Sequence, residues 1–279
     1  MGKTVVMTGA TSGIGEVAAL HLAERGARIV LVARDHARAR ATLERLARAG
    51  PGIEHAVHLA DLGLMAEQRR VAEQIARAEP CIDVLINNAG ALYMGTTRTA
   101  EGLAATFATN HLAYYVLTLL LLPRLRASSQ GRIVCTASRA HQQGRMDFDH
   151  LQRDGLSGYA QSKLANLLFV RQLVRRLGQV PVTVNALHPG FVATRFADNC
   201  GAGWRLIARG LKSVVGISPE EGAETLIKLA ESPQLAGSTG GYYVRGALAK
   251  SSARARSDAD AEHLWSASAQ LTGVDLATP

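Results

Sequence analysis

From the first residue almost to the last, short β-branched runs alternate with longer stretches of helical periodicity, and no other feature restricts the fold of this chain so strongly. The runs KTVVMT, ARIVLVA, IEHAVHL, IDVLIN, GRIVCTA and PVTVNALH are near-continuously apolar, as in strands covered on both faces. Helical spacing fills the intervals, at roughly 14–25, 36–49, 64–79, 101–127 and 157–178. Strand and helix in alternation imply βαβ units, so the expected class is α/β: a doubly wound parallel sheet of about seven strands with helices on both faces. The seventh strand is placed at GGYYVR, residues 240–245, after a helix that Ser218 can cap with Pro219 in its first turn.

No linker, repeat or low-complexity block divides the 279 residues, so one domain is expected, with two appendages. The first, about 191–216, carries Phe196, Trp204, Leu206, Ile207 and Leu211 among Arg195, Arg205, Arg209 and Lys212. The second is a C-terminal helix at about 258–272. Cys81, Cys135 and Cys200 lie too far apart for a disulfide framework or a metal site, which points to a reducing compartment. The chain opens on MGKTVVMTGA without a leader pattern. Its longest apolar run, Leu112 to Pro123, is shorter than the roughly 18 residues of a membrane span and reads as a buried helix. A cytoplasmic protein is expected.

The net charge of +8 raises the question of a nucleic-acid partner. Residues 101–200 hold 11 basic and 5 acidic groups, against 12 and 10 before them and 8 and 8 after. This central excess comes in singles and pairs without interleaved aromatics, so no nucleic-acid partner is expected. An arginine-rich surface, partly facing an anionic cofactor, accounts for it.

The segment TGATSGIG follows the first strand and opens the first helix. Gly9, Gly13 and Gly15 allow a tight turn that brings backbone N–H groups against a pyrophosphate at the helix N-terminus. The second strand ends LVARD. An arginine at that point accommodates the 2′-phosphate of NADP, whereas an acid bonds the 2′-hydroxyl of NAD. Arg34 favours NADP(H) over NAD(H), with Arg38 as an accessory contact; Asp35 keeps NAD open if the strand runs one residue further.

The chain resembles the short-chain dehydrogenase/reductase family over essentially its whole length. The likeness rests on TGATSGIG, on NNAG at Asn87–Gly90, on TNHL around Asn110, on Ser138, on Tyr159-x-x-x-Lys163 and on HPGFVAT at His188–Thr194. It is most similar to the retinol dehydrogenase-like branch, through AH after the serine, the 21-residue interval from Ser138 to Tyr159, SKLANLLF and a terminal LW helix. The resemblance implies a Rossmann-like fold and a catalytic set of Ser138, Tyr159, Lys163 and Asn110. It also implies cofactor contacts from Gly9, Thr11, Ser12, Gly13, Ile14, Gly15, Arg34, Asp61, Leu62, Asn88, Ala89, Gly90, Tyr159, Lys163, Pro189, Gly190, Val192 and Thr194. Asp61 with Leu62 is expected to end the third strand, and Asn110 to hold a relay water.

Elementary chemistry agrees with that implication. A phenol with a pKa near 10 needs its anion stabilised to exchange protons at neutral pH, and a lysine one helical turn away supplies positive charge. A serine hydroxyl can bond the substrate oxygen as charge develops. There are departures: Ala137 replaces a serine, Ala113 a glycine, and Ser12 stands where some NADP-dependent members carry a basic residue. Membrane-anchored members carry an N-terminal hydrophobic segment, which MGKTVVMTGA does not resemble, and a soluble protein is expected.

The expected function is hydride transfer between NADP(H) and a carbonyl or alcohol of a lipophilic small molecule. A non-catalytic dinucleotide sensor on the same fold is the alternative. The segment 191–216 reads equally as a substrate lid, a membrane-surface contact or plain packing. A homodimer through the helices of Asn110 and Tyr159 would use the apolar run, as would burial within one subunit.

Overall fold

The structure, a computed structural model, describes residues 2–190 and 217–276. Among the described residues eight strands form one sheet: β1 (Thr4–Thr8), β2 (Arg28–Ala33), β3 (Ala56–Leu59), β4 (Val84–Asn87), β5 (Gly131–Thr136), β6 (Val182–His188), β7 (Tyr242–Val244) and β8 (Ala247–Ala249). Their order is β3-β2-β1-β4-β5-β6-β7-β8. The first seven run parallel; β8 turns back antiparallel on β7, with Tyr243 opposite Leu248. This eighth strand exceeds the expected seven. It is three residues long, half of a tight hairpin whose turn holds Arg245 at φ +50° and Gly246 at φ +72°, and so short a strand leaves no periodic signature.

Successive strand residues face opposite layers. Val6, Val30 and Val32 enter one core, with Tyr115, Phe169 and Trp265. Val5, Met7, Ile29 and Leu31 enter the other. The first layer holds α3 (Met65–Ala78), α4 (Ala105–Arg126), α5 (Gly155–Leu177) and α7 (Asp258–Thr272); the second holds α1 (Gly13–Glu24), α2 (His36–Ala49) and α6 (Pro219–Glu231). All six residues of β5 are buried, which is why the central runs read as unbroken apolar sequence.

Local signals set several boundaries. Ser218 and Glu221 form a reciprocal capping box at the start of α6, at 3.2 Å in each direction, with Pro219 in the first turn. The apolar run 112–123 belongs to α4, which fills most of the helical interval expected at 101–127. At 22 residues, α4 is long and apolar enough to cross a bilayer, but 89% of its apolar window is buried inside the fold. Burial within one subunit therefore accounts for it. Within α4, Ala108–Leu112 form a π-helical turn, an irregularity often found at functional positions.

Strand order reverses between β1 and β4, where Val5 pairs with Val84 and Met7 with Ile86. The loops after these two strands diverge to opposite faces, opening the crevice where ligands of such sheets bind.

Candidate active site

At that crevice the loops after β1 and β4 are bonded through one threonine. Thr8 Oγ1 accepts the N–H groups of Asn88 at 3.0 Å and Ala89 at 2.9 Å. The Asn88 amide donates to Gly9 O at 3.0 Å and accepts from Thr136 Oγ1 at 3.1 Å, joining β1, β4 and β5. The loops approach so closely that side chains are excluded. A Cβ on Gly9 would lie 2.7 Å from Ala89 Cα, and one on Gly15 would lie 2.6 Å from Asn88 Nδ2.

Gly13, at φ +58°, opens α1. Ser12 stands at its N-cap, but its side chain makes no capping bond. The first-turn N–H groups, which lack intrahelical partners, and the positive end of the helix dipole suit an anion at half-buried Thr11 and Ser12. With Ile14 buried beneath the turn, this cradle fits the pyrophosphate of a dinucleotide.

β2 ends at Ala33, and Arg34 follows exposed. Asp35 is the N-cap of α2: its carboxylate accepts the Arg38 N–H at 3.0 Å and faces the Arg38 guanidinium at 3.7 Å. That backbone bond, helped by the arginine charge, holds its carboxyl below the usual range. Asp35 is thus engaged in helix capping. The expectation for Asp61 needs correction, because β3 ends at Leu59. Asp61 accepts the Gly63 N–H at 2.9 Å in a turn, a local bond that competes with strand pairing. Leu62 beside it is buried, its carbonyl bonded to the Gln68 amide at 2.8 Å.

Tyr159 and Lys163 lie one turn apart on α5. Lys163 is 3% exposed, and its Nζ donates to Thr136 O at 3.1 Å while standing 5.7 Å from the centre of the Tyr159 ring. Burial lowers Lys163 to about 8 and raises Tyr159 to about 12, with a hydrogen bond to Ser138 pulling the phenol back. The i,i+4 spacing led to the opposite expectation, a phenol acidified by its lysine. In this structure burial outweighs the charge, and the ammonium is aimed at a carbonyl.

Ser138 lies beyond the end of β5 and caps a 3-10 turn, Arg139–Gln142, accepting the Ala140 N–H on Oγ at 3.2 Å. Asn110, on the π-helical turn, is wholly buried. Its Oδ1 accepts from Ala91 N at 2.7 Å, and its Nδ2 donates to Ala91 O and Ser162 Oγ, both at 3.0 Å. The side chain is a clamp between the β4 loop and α5. Gly90 passes beside it: a Cβ there would come within 3.3 Å of Lys163 Nζ and 3.4 Å of Asn110 Oδ1.

Pro189 and Gly190 follow β6, and Gly190 at φ +94° has no room for a side chain against Ile217. Val192, Thr194 and the rest of 191–216 lie outside the described residues. His188 is pushed down to about 4, by burial first and then by Arg139, His141 and Arg245.

Four contributors escaped the sequence reading: Thr8, Thr136, His141 and Tyr114, whose hydroxyl donates to Ala89 O at 2.9 Å. The available signals were a threonine before the first glycine, tyrosines inside an apolar helix and the AH pair after Ser138.

A family model described as short chain dehydrogenase matches residues 3–203. Retinol dehydrogenase 14 of Mus musculus is 37% identical over 291 residues, covering 98% of this chain and 86% of that protein. Dehydrogenase/reductase SDR family member 13 of Bos taurus is 38% identical over 280 residues, covering 98% and 74%. Among solved structures, an uncharacterized protein from Mycobacterium paratuberculosis superposes with a TM-score of 0.77 at 32% identity, covering 99% of this chain and 95% of that one. The Pseudomonas aeruginosa RhlG/NADP complex does so at 0.71 and 27% identity, covering 87% and 94%.

Proposed function

The chain belongs to the short-chain dehydrogenase family, in its retinol dehydrogenase-like branch, and we propose on that footing that it is an NADP(H)-dependent oxidoreductase interconverting a lipophilic carbonyl compound and its alcohol. The observation that carries this reading is the meeting of Ser138, Tyr159 and Lys163 beside a glycine cradle at the strand-order reversal. The nicotinamide, when bound, exchanges a hydride with the carbonyl carbon.

In this proposal the Gly9–Gly15 loop holds the pyrophosphate and Arg34 the 2′-phosphate. Asp61 and Leu62 face the adenine, Asn88 to Gly90 the adenosine ribose, and Pro189, Gly190, Val192 and Thr194 the nicotinamide side. Tyr159 carries the proton that passes to or from the substrate oxygen, and Ser138 donates a hydrogen bond to that oxygen. Lys163 offers positive charge as the phenol gives up its proton. NADP bound to the Pseudomonas relative and the names of the retinol dehydrogenases support the cofactor and the lipophilic alcohol. The chain is read as one catalytic domain and as cytoplasmic, where Cys81 and Cys135 stay free thiols.

The test is transfer of label. With NADPH deuterated at C4 and a panel of lipophilic ketones and aldehydes, deuterium is expected on the carbinol carbon of a product. Binding of NADPH without labelled product from any of them would favour the dinucleotide sensor.

A further inference from the structure

His141 belongs to the AH pair that follows Ser138 and takes no part in the reaction as described. It is wholly buried. Its Nδ1 lies 2.7 Å from Ser138 O, and its Nε2 lies 3.2 Å from the backbone N of Ser252. A carbonyl oxygen only accepts and a backbone N–H only donates, so both contacts together require a neutral ring with its proton on Nδ1. Burial also disfavours the charged ring. The Tyr242 ring meets it edge-on at 5.2 Å, closing its remaining freedom.

The consequence falls on Ser138. Its carbonyl receives two donors from His141, the ring N–H and the backbone N–H at 3.1 Å. Its Oγ accepts from Ala140 N, which occupies one lone pair, and the hydroxyl is also hydrogen-bonded with Tyr159, so it faces the reacting side. The turn that imposes this is held from both sides. Gly144 packs so closely on α5 that a Cβ would lie 2.5 Å from Ala160 O. On the other side Arg254 donates to Gly144 O at 3.2 Å, so the segment around Ser252 and Arg254 straps the turn down.

We propose that His141 is a positioning residue for the reaction: fixed in its Nδ1–H tautomer by the Ser252 backbone, it holds the Ser138 turn so that the serine hydroxyl is presented as a donor. This rests on the proposed role of Ser138 at the substrate oxygen.

The pair His141→Asn and His141→Gln separates the two contacts. Asparagine places an amide N–H near Nδ1 and keeps the bond to Ser138, whereas glutamine reaches the strap and loses it. Glutamine should lower kcat by about tenfold with the KM for NADPH unchanged, and asparagine should recover most of that loss. In a Ser138→Ala background the glutamine change should add nothing. Nitrogen-15 NMR of the histidine rings, which needs no turnover, should show His141 neutral with its proton on Nδ1. A proton on Nε2, or an equal loss from glutamine in the Ser138→Ala background, would overturn the inference. Absence of turnover in the wild-type protein despite the Nδ1–H tautomer would overturn the proposed reaction, and this inference with it.

Discussion

Lys163 stands 5.7 Å from the centre of the Tyr159 ring, and its ammonium bonds the Thr136 carbonyl at 3.1 Å. The two groups are driven in opposite directions by burial, Lys163 down to about 8 and Tyr159 up to about 12. The phenol therefore keeps its proton through neutral pH, ready for reduction, while the lysine loses its charge first. Reductive kcat/KM should fall as pH rises through about 8, because the tyrosinate then forms without a neighbouring cation. A pH-rate profile checks this, and a flat profile to pH 10 would contradict it.

The same depressed lysine has a stability consequence. Between about 8 and its ordinary value of 10.5 the unfolded chain binds the proton that the folded chain releases. Its unfavourable contribution is therefore fully present below about 8 and relieved as pH rises towards 10.5. Lys163→Met should abolish activity while stabilising the fold by about 2 kcal/mol at pH 7, a gain that shrinks by pH 10. Urea unfolding at the two pH values measures it.

Asn110 satisfies both backbone groups of Ala91 and tethers Ser162. Asn110→Leu leaves those buried groups unpaired and should cost about 3 kcal/mol or more, with activity lost. Denaturant midpoints for the two proteins test the magnitude; a difference below about 1 kcal/mol would mean the clamp is dispensable.

The fold was legible because the central strands, buried on both faces, write themselves as apolar runs. The glycine loop was legible because close approach at Gly9 and Gly15 admits no side chain. What stayed hidden depends on distant residues. The bond from Lys163 to Thr136 spans 27 positions and that from His141 to Ser252 spans 111, and neither has a local pattern. The burial that reverses the expected Tyr159 shift is likewise a tertiary property, and Asp61, expected at the end of β3, lies past Leu59 with its carboxylate bonded to its own turn.

Arg34 is exposed and lies beyond the end of β2, so its replacement should leave stability alone and act on the cofactor. Arg34→Ser should weaken NADPH binding by about tenfold or more and change NADH binding little. Fluorescence titration with both nucleotides distinguishes this from an equal loss, which would remove Arg34 from phosphate recognition.

The most direct test of the central claim compares the wild-type protein with Tyr159→Phe under identical NADPH and carbonyl substrate, following nicotinamide absorbance and, separately, NADPH binding. The account predicts that the variant binds NADPH as the wild type does and turns over slower by about a hundredfold or more. Undiminished turnover by Tyr159→Phe would contradict it.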